Sequence, residues 1–153
     1  MLQDCHERVG GLKMVRCLVV DDDELERELI ALYLENVAVC EMAENGLKAV
    51  EMFREAFKGG NRYDLIMLDI MMPEMDGHAA AKEIRRIEKE GGVSIMDGVN
   101  IIVITSLNTP HDVIQAYLSA SSAAHVVKPV TPQKLIKILH KLGMIEHTEP
   151  NHV

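Results

Sequence analysis

Short apolar runs alternate with stretches of helical period along most of this chain. Residues 15–20, V-R-C-L-V-V, predict a first strand, and 23–36 a helix with Leu25, Leu29 and Leu32 on one face. A shorter strand is expected at 37–42. A helix over 45–58 follows, with Leu47, Val50, Phe53 and Phe57 on a common stripe and Gly59-Gly60 ending it. The scheme then repeats. An apolar run over 63–68 predicts a strand buried on both faces. A helix over 77–90 buries Ala80, Ile84 and Ile87, and Gly91-Gly92 stops it. A polar, glycine-containing stretch at 93–98 leads into a β-branched strand at 101–104. Pro110 opens a fourth helix holding Val113, Ile114 and Tyr117. A fifth strand is expected at 123–127, then a helix over 131–142 with Thr131 as N-cap and Pro132 at its first position.

Five successive β-α units imply an α/β fold, doubly wound, with a parallel sheet, helices on both faces and right-handed crossovers. Ligands of such folds sit at the carboxyl ends of the strands, beside a topological switch point. The predicted strands end at Asp21-Asp22-Asp23, Asp69, Thr105-Ser106 and Lys128. The rim they share holds acids, hydroxyls and one ammonium. It has no His or Cys, so Ser-His-Asp chemistry lacks a base there.

Such oxygens suit a hard cation. Mg²⁺ takes one or two carboxylates, keeps several waters and accepts phosphate oxygens. Lys128 can hold a phosphoryl oxygen or pair with a carboxylate, and Thr105 can donate to a phosphoryl group. A carboxylate such as Asp69 can itself accept phosphoryl. Two carboxylates ~4 Å apart repel by about 4 kcal/mol at an effective dielectric of ~20, which a lysine and a divalent ion would relieve. Any one of these acids alone has a simpler reading, as a cap of the following helix. Their joint occurrence at separate strand ends is what points to a site.

Composition narrows the class. At 153 residues, 48% of them hydrophobic, the chain suits one folded domain. No apolar run reaches the ~20 residues of a membrane helix, and the acidic start M-L-Q-D-C-H-E-R is unlike a signal peptide. A cytoplasmic protein without a membrane partner is expected. The net charge of −8 argues against nucleic acid. The densest basic cluster, Lys82, Arg85, Arg86 and Lys89, is interleaved with Glu83, Glu88 and Glu90 and reads as a solvated helix face. Cys5, Cys17 and Cys40 form neither a disulfide framework nor a zinc spacing. Cys17 and Cys40 read as buried thiols, and Cys5 beside His6 supplies too few ligands for a metal.

The ordered motifs V-V-D-D-D, L-D-I-M-M-P-E-M-D-G, I-T-S and V-V-K-P resemble the receiver domain of two-component response regulators. The resemblance implies a flavodoxin-like (βα)5 sandwich of strand order 2-1-3-4-5, over residues 13–142. It leaves a flexible tail at 1–12 and a short one at 143–153. It implies Asp69 as phospho-acceptor. Asp21, Asp22, Asp69 and the backbone carbonyl of Met71 would hold Mg²⁺, for which Mn²⁺ can substitute, with Asp21 acting largely through water. Thr105 and Lys128 would grip the phosphoryl group. A cis Lys128–Pro129 bond is expected, and Asp76-Gly77 should start the third helix with Asp76 as N-cap. Asp23 falls one step past the acidic pair and is expected to cap the first helix.

The implied function is a single-domain response regulator, a phosphoprotein rather than a conventional enzyme, catalysing only its own phosphorylation and dephosphorylation. Its donor would be a sensor histidine kinase or histidine phosphotransfer protein. Its output would be a partner protein bound on the face of fourth helix, fifth strand and fifth helix. Thr105 and the residue at 125 would form the switch. That residue is His125 where the family carries an aromatic, and imidazole titrates near pH 6.5. The link E-G-G-V-S-I-M-D-G-V-N is longer than usual. Met71 and Leu107, apolar beside the pocket, would position water poorly and slow self-dephosphorylation. Two other readings stand beside this one. A phosphohydrolase would want an acid two residues after Asp69, where Met71 stands. A degenerate or phosphate-sink receiver would serve as an interaction module.

Overall fold

In a computed structural model describing residues 8–9, 12–70, 77–106 and 123–145, the apolar runs become one parallel sheet. Its strands are β1 (Val15–Val20), β2 (Ala38–Ala43), β3 (Leu65–Asp69), β4 (Asn100–Thr105) and β5 (Ala124–Val127). Their order is β2-β1-β3-β4-β5, so the chain reverses its direction of growth between β2 and β3. This is the expected order 2-1-3-4-5. The short pieces Arg8–Val9 and Leu12–Lys13 pair antiparallel ahead of the sheet.

Period-2 alternation explains why the central strands are apolar throughout. Leu18 and Val20 of β1, Ile66 and Leu68 of β3, and Ile101 and Val103 of β4 join one core. Helices α2 (Gly46–Lys58) and α3 (Gly77–Glu90) cover it with Val50, Phe53, Ala80 and Ile84. Cys17, Val19, Leu65, Met67, Ile102 and Ile104 point to the other face. There α1 (Glu24–Tyr33) contributes Ile30, and the C-terminal helix (Pro132–Lys141) contributes Leu135 and Leu139. The central strands β1, β3 and β4 thus feed both cores, while the flanking strands carry polar residues within them, Glu41 in β2 and His125 in β5.

Helix starts follow their local chemistry. Asn45 Oδ1 accepts from the Lys48 N–H at 2.8 Å, and Thr131 Oγ1 from the Lys134 N–H at 3.3 Å with Pro132 next. Gly60 and Gly92, just past α2 and α3, have φ of 75° and 81°, a region that disfavours side chains. Asp76 and the helix expected from Pro110 lie outside the described residues.

Two helical faces depart from expectation. The face of α1 bearing Leu25, Leu29 and Leu32 is not the core face: Leu25 is 63% and Leu32 56% exposed, while Ile30 and Leu34 are buried. Leu47 of α2 is likewise half exposed. The basic cluster on α3 also divides. Arg86 pairs in solvent with Glu83 and Glu90, as a solvated face should. Glu88 instead is buried, 2.7 Å from Arg85 Nη1, and its other oxygen accepts the Val99 N–H at 2.6 Å.

That carboxylate ties down the long link between α3 and β4. The link carries a single 3-10 turn, Ile95–Asp97, and its Gly98 lies so close that an added Cβ would be 2.6 Å from Glu88 Oε1. Breaking a buried, hydrogen-bonded pair leaves the partner charge uncompensated. Glu88→Ala is therefore expected to cost roughly 3 kcal/mol in urea unfolding, and Arg86→Ala, at the exposed pair, far less. Equal costs for the two would remove the anchoring role of Glu88.

Candidate functional site

All five parallel strands deliver their C-terminal residues to one edge, and the order reverses beside β1 and β3. Val20 lies in register with Leu68, so Asp21 and Asp69, the residues that follow, meet at that edge. Asp69 is in register with Ile104, which sets it next to Thr105. Thr105 is in register with Val127 and its carbonyl accepts the Lys128 N–H at 2.8 Å. Four separate segments of sequence are thereby brought together by ladder registry alone.

Asp21, Asp69 and Thr105 are buried, whereas Asp22 is exposed. Carboxylate oxygens of Asp21, Asp22 and Asp69 all lie within 4.8 Å of one another. Lys128 Nζ lies 3.3 Å from Asp69 Oδ2. At such spacing each pair of charged carboxylates repels by about 3 kcal/mol at an effective dielectric of ~20. Burial, with the Asp69 charge adding to it, pushes the Asp21 carboxyl up to about 7, although the Asp23 N–H and Lys128 pull the other way. Burial pulls the Lys128 ammonium down, but Asp69 and then Asp21 outweigh it and leave its pKa raised.

The acidic run divides by geometry. Asp21 Oδ1 accepts the Asp23 N–H at 2.9 Å. Its Oδ2 is buried with no hydrogen-bond partner, an uncompensated oxygen facing the cluster. Asp23 turns away as the N-cap of α1, its Oδ1 accepting the Leu25 N–H at 3.0 Å. The expectation for Asp23 is met. An orphaned buried oxygen among three converging carboxylates, with one lysine to balance them, is the donor set a hard divalent cation such as Mg²⁺ takes.

The supporting contacts of three residues went unread in the sequence. Arg27 Nη1 donates to the Asp21 carbonyl at 2.7 Å, fixing the acidic turn from α1. Lys134 donates to the carbonyls of Val127 and Pro129 at 3.0 and 2.9 Å, bracketing Lys128. The Lys128–Pro129 bond between them is cis, as expected. Gly77 abuts the end of β3: a Cβ there would lie 2.5 Å from Ile70 Cα and 2.7 Å from the Asp69 carbonyl. Contacts of this kind leave no periodic trace in a sequence. Met71 and Leu107 lie outside the described residues, and His125 is half-buried on β5 in register with Val103.

This fold and rim define a receiver type of domain. The model of the response regulator receiver domain matches residues 17–140, and the chain belongs to that family of signalling domains. It is 36% identical over 135 residues to the two-component response regulator ORR41 of Oryza sativa subsp. japonica, covering 86% of this chain and 97% of that one. By contrast, it spans only 10% of Probable histidine kinase 2 of Oryza sativa subsp. indica, at 30% identity over 112 residues. Among solved structures, the receiver domain of the histidine kinase CKI1 from Arabidopsis thaliana, complexed with Mg²⁺ and BeF3⁻, superposes with a TM-score of 0.71 at 27% identity. That comparison covers 84% of this chain and 89% of the other. The co-crystal of the Saccharomyces cerevisiae histidine phosphotransfer signaling protein Ypd1 with the Ssk1 receiver domain gives 0.71 at 29%, over 82% and 87%. No helix among the described residues is long and apolar enough to cross a membrane.

The raised Asp21 pKa has a consequence for stability. Between about pH 4 and pH 7 the folded protein holds a proton that the unfolded chain has released, so this group's contribution falls as pH rises through that window and is flat above it. In urea unfolding with EDTA, wild type is expected to lose more stability from pH 5 to pH 8 than Asp21→Asn, with the variant the more stable at pH 8. Identical pH dependence of the two would remove the charge on Asp21 as a source of strain.

Proposed function

We propose that this chain is a response regulator whose Asp69 takes a phosphoryl group from phosphohistidine on a kinase or phosphotransfer protein. The observation that carries the reading is the Lys128 ammonium 3.3 Å from a buried Asp69 that also lies within 4.8 Å of the Asp21 and Asp22 oxygens. Asp69 Oδ attacks phosphorus, the N–P bond breaks, and the leaving imidazole keeps the electron pair. An aspartyl phosphate results. Lys128, already beside Asp69, moves its charge onto a phosphoryl oxygen. The Thr105 hydroxyl donates to another from the adjoining strand end. Asp21, Asp22, Asp69 and the Met71 carbonyl would hold Mg²⁺, which supplies neutralising charge for the incoming phosphoryl oxygens.

The output follows from where Thr105 and Lys128 are attached. A shift of Thr105 toward the phosphoryl group pulls on β5 two residues from His125, which biases a two-state surface. That surface would include the C-terminal helix, where Pro132, Ile136, Lys137 and His140 line an open, largely apolar shelf. A protein partner suits such a shelf.

The donor has a docking surface as well. The exposed stripe of Leu25, Leu29 and Leu32 sits at spacings of four and three on α1, a helix that begins at the acidic rim. A partner bringing phosphohistidine to Asp69 must cover that rim, and burying these leucines would stabilise its approach.

Three experiments test these statements. Incubation with acetyl phosphate and Mg²⁺ is expected to add one phosphoryl group to wild type and none to Asp69→Ala. Asp22→Ala should abolish Mg²⁺ binding while Asp23→Ala leaves it unchanged; no labelling of wild type would favour an interaction module instead. Separately, Leu25→Glu with Leu32→Glu is expected to slow transfer from phosphorylated Ypd1 by about tenfold, equivalent to ~1.4 kcal/mol, with acetyl phosphate labelling intact. Unchanged transfer would exclude α1 as the docking surface.

A further inference from the structure

Away from the acidic rim, β1 and β2 place two free thiols side by side. Cys17 and Cys40 are register partners in the parallel ladder, so their side chains leave the sheet on the same face. Adjacent strands run about 4.8 Å apart, inside the ~4.4–6.8 Å between Cα atoms that a disulfide spans. The two differ in access. Cys17 is fully buried among Val15, Val19 and Ile30, while Cys40 is partly exposed and β2 is the edge strand.

We propose that Cys17 and Cys40 are a thiol-oxidation site, converted by hydrogen peroxide to a disulfide that joins the edge strand β2 to its neighbour β1. The division of labour follows from the environment. Hydrogen bonding from Cys17 lowers the Cys40 pKa against the opposing effect of burial, whereas the same contact and complete burial raise that of Cys17. Cys40 is therefore the more acidic of the two thiols and the one that a peroxide can reach.

Its sulfur attacks one peroxide oxygen. The O–O bond breaks, the departing hydroxide takes up the proton Cys40 released, and Cys40 becomes a sulfenic acid. The Cys17 sulfur then attacks the Cys40 sulfur, the S–O bond breaks, and the hydroxyl leaves as water with the Cys17 proton. Two thiols are oxidised and one peroxide is reduced to two waters. The bond closes a loop that includes all of α1, so it should also restrain the segment delivering Asp21 to the rim.

The full chain carrying Cys5→Ser isolates the pair. After exposure to hydrogen peroxide in the folded state, remaining thiols are alkylated in denaturant and peptides are mapped by mass. The expected result is a peptide pair joined through Cys17 and Cys40, reversed by dithiothreitol and formed faster than in urea-unfolded chain. Cys17→Ala, which keeps a small apolar group in the core, should leave Cys40 as a sulfenic acid that dimedone labels. Cys40→Ser, at the half-exposed edge, should leave Cys17 unmodified. Full alkylation of both cysteines overturns the proposal. So does Cys40 passing to sulfinic acid with Cys17 still a thiol, or a linkage that forms only in urea.

Discussion

Repulsion among carboxylates gathered at one sheet edge is the constraint around which this molecule is organised. Parallel strands all end on the same side, so strand ends that carry Asp21 and Asp69 cannot avoid each other. Burial amplifies the cost because the low-dielectric surroundings screen charge poorly. One carboxyl answers by holding its proton to about pH 7, and one lysine answers by leaning onto Asp69. The arrangement is expensive as structure and useful as chemistry. Under the proposed function, a divalent cation would bring the opposite charge that this cluster lacks, and its binding would relieve strain that folding had to impose.

Such a cluster persists only on a scaffold that leaves it little room to relax. The two cores hold the central strands from both faces, and the ladder fixes their ends relative to one another. Arg27 clamps the acidic turn, Lys134 clamps the turn carrying Lys128, and Gly77 lets α3 press against the end of β3 without a side chain between. None of these groups needs to touch a phosphoryl group. Each removes a direction in which the carboxylates could drift apart. The site is thus tightly held at the strand ends, while exposed Asp22 on the turn after β1 keeps it open to solvent.

Much of this was legible as pattern. Strands and helices fell where period-2 and period-3.6 runs put them, with ends within about two residues in most cases, because caps such as Asn45 and Thr131 and stops such as Gly60 act locally. The capping role of Asp23 was also readable, since N-capping depends only on the residues next in sequence. Failures share another cause. Leu25, Leu29 and Leu32 do form a helical stripe, but periodicity says nothing about which stripe meets the sheet. Ile30 and Leu34 won that position, clustering with Val15, Cys17 and Val19 of β1 and with Leu135 and Leu139 of the C-terminal helix. Glu88 was read as solvent-facing for a similar reason: its partner Val99 is eleven residues away, across a link without periodicity.

By itself, then, the sequence determined the class of fold, the order of elements and the chemical types at each strand end, because these rest on local periodicity and on motifs contiguous in the chain. Tertiary structure decided which of those groups meet, at what distance and with what protonation. Separations such as 3.3 Å between Lys128 and Asp69, or the register that sets Cys17 beside Cys40, arise from pairing between segments 59 and 23 residues apart. Charge and redox properties follow from those separations, since Coulomb energy and thiol chemistry depend on proximity and burial.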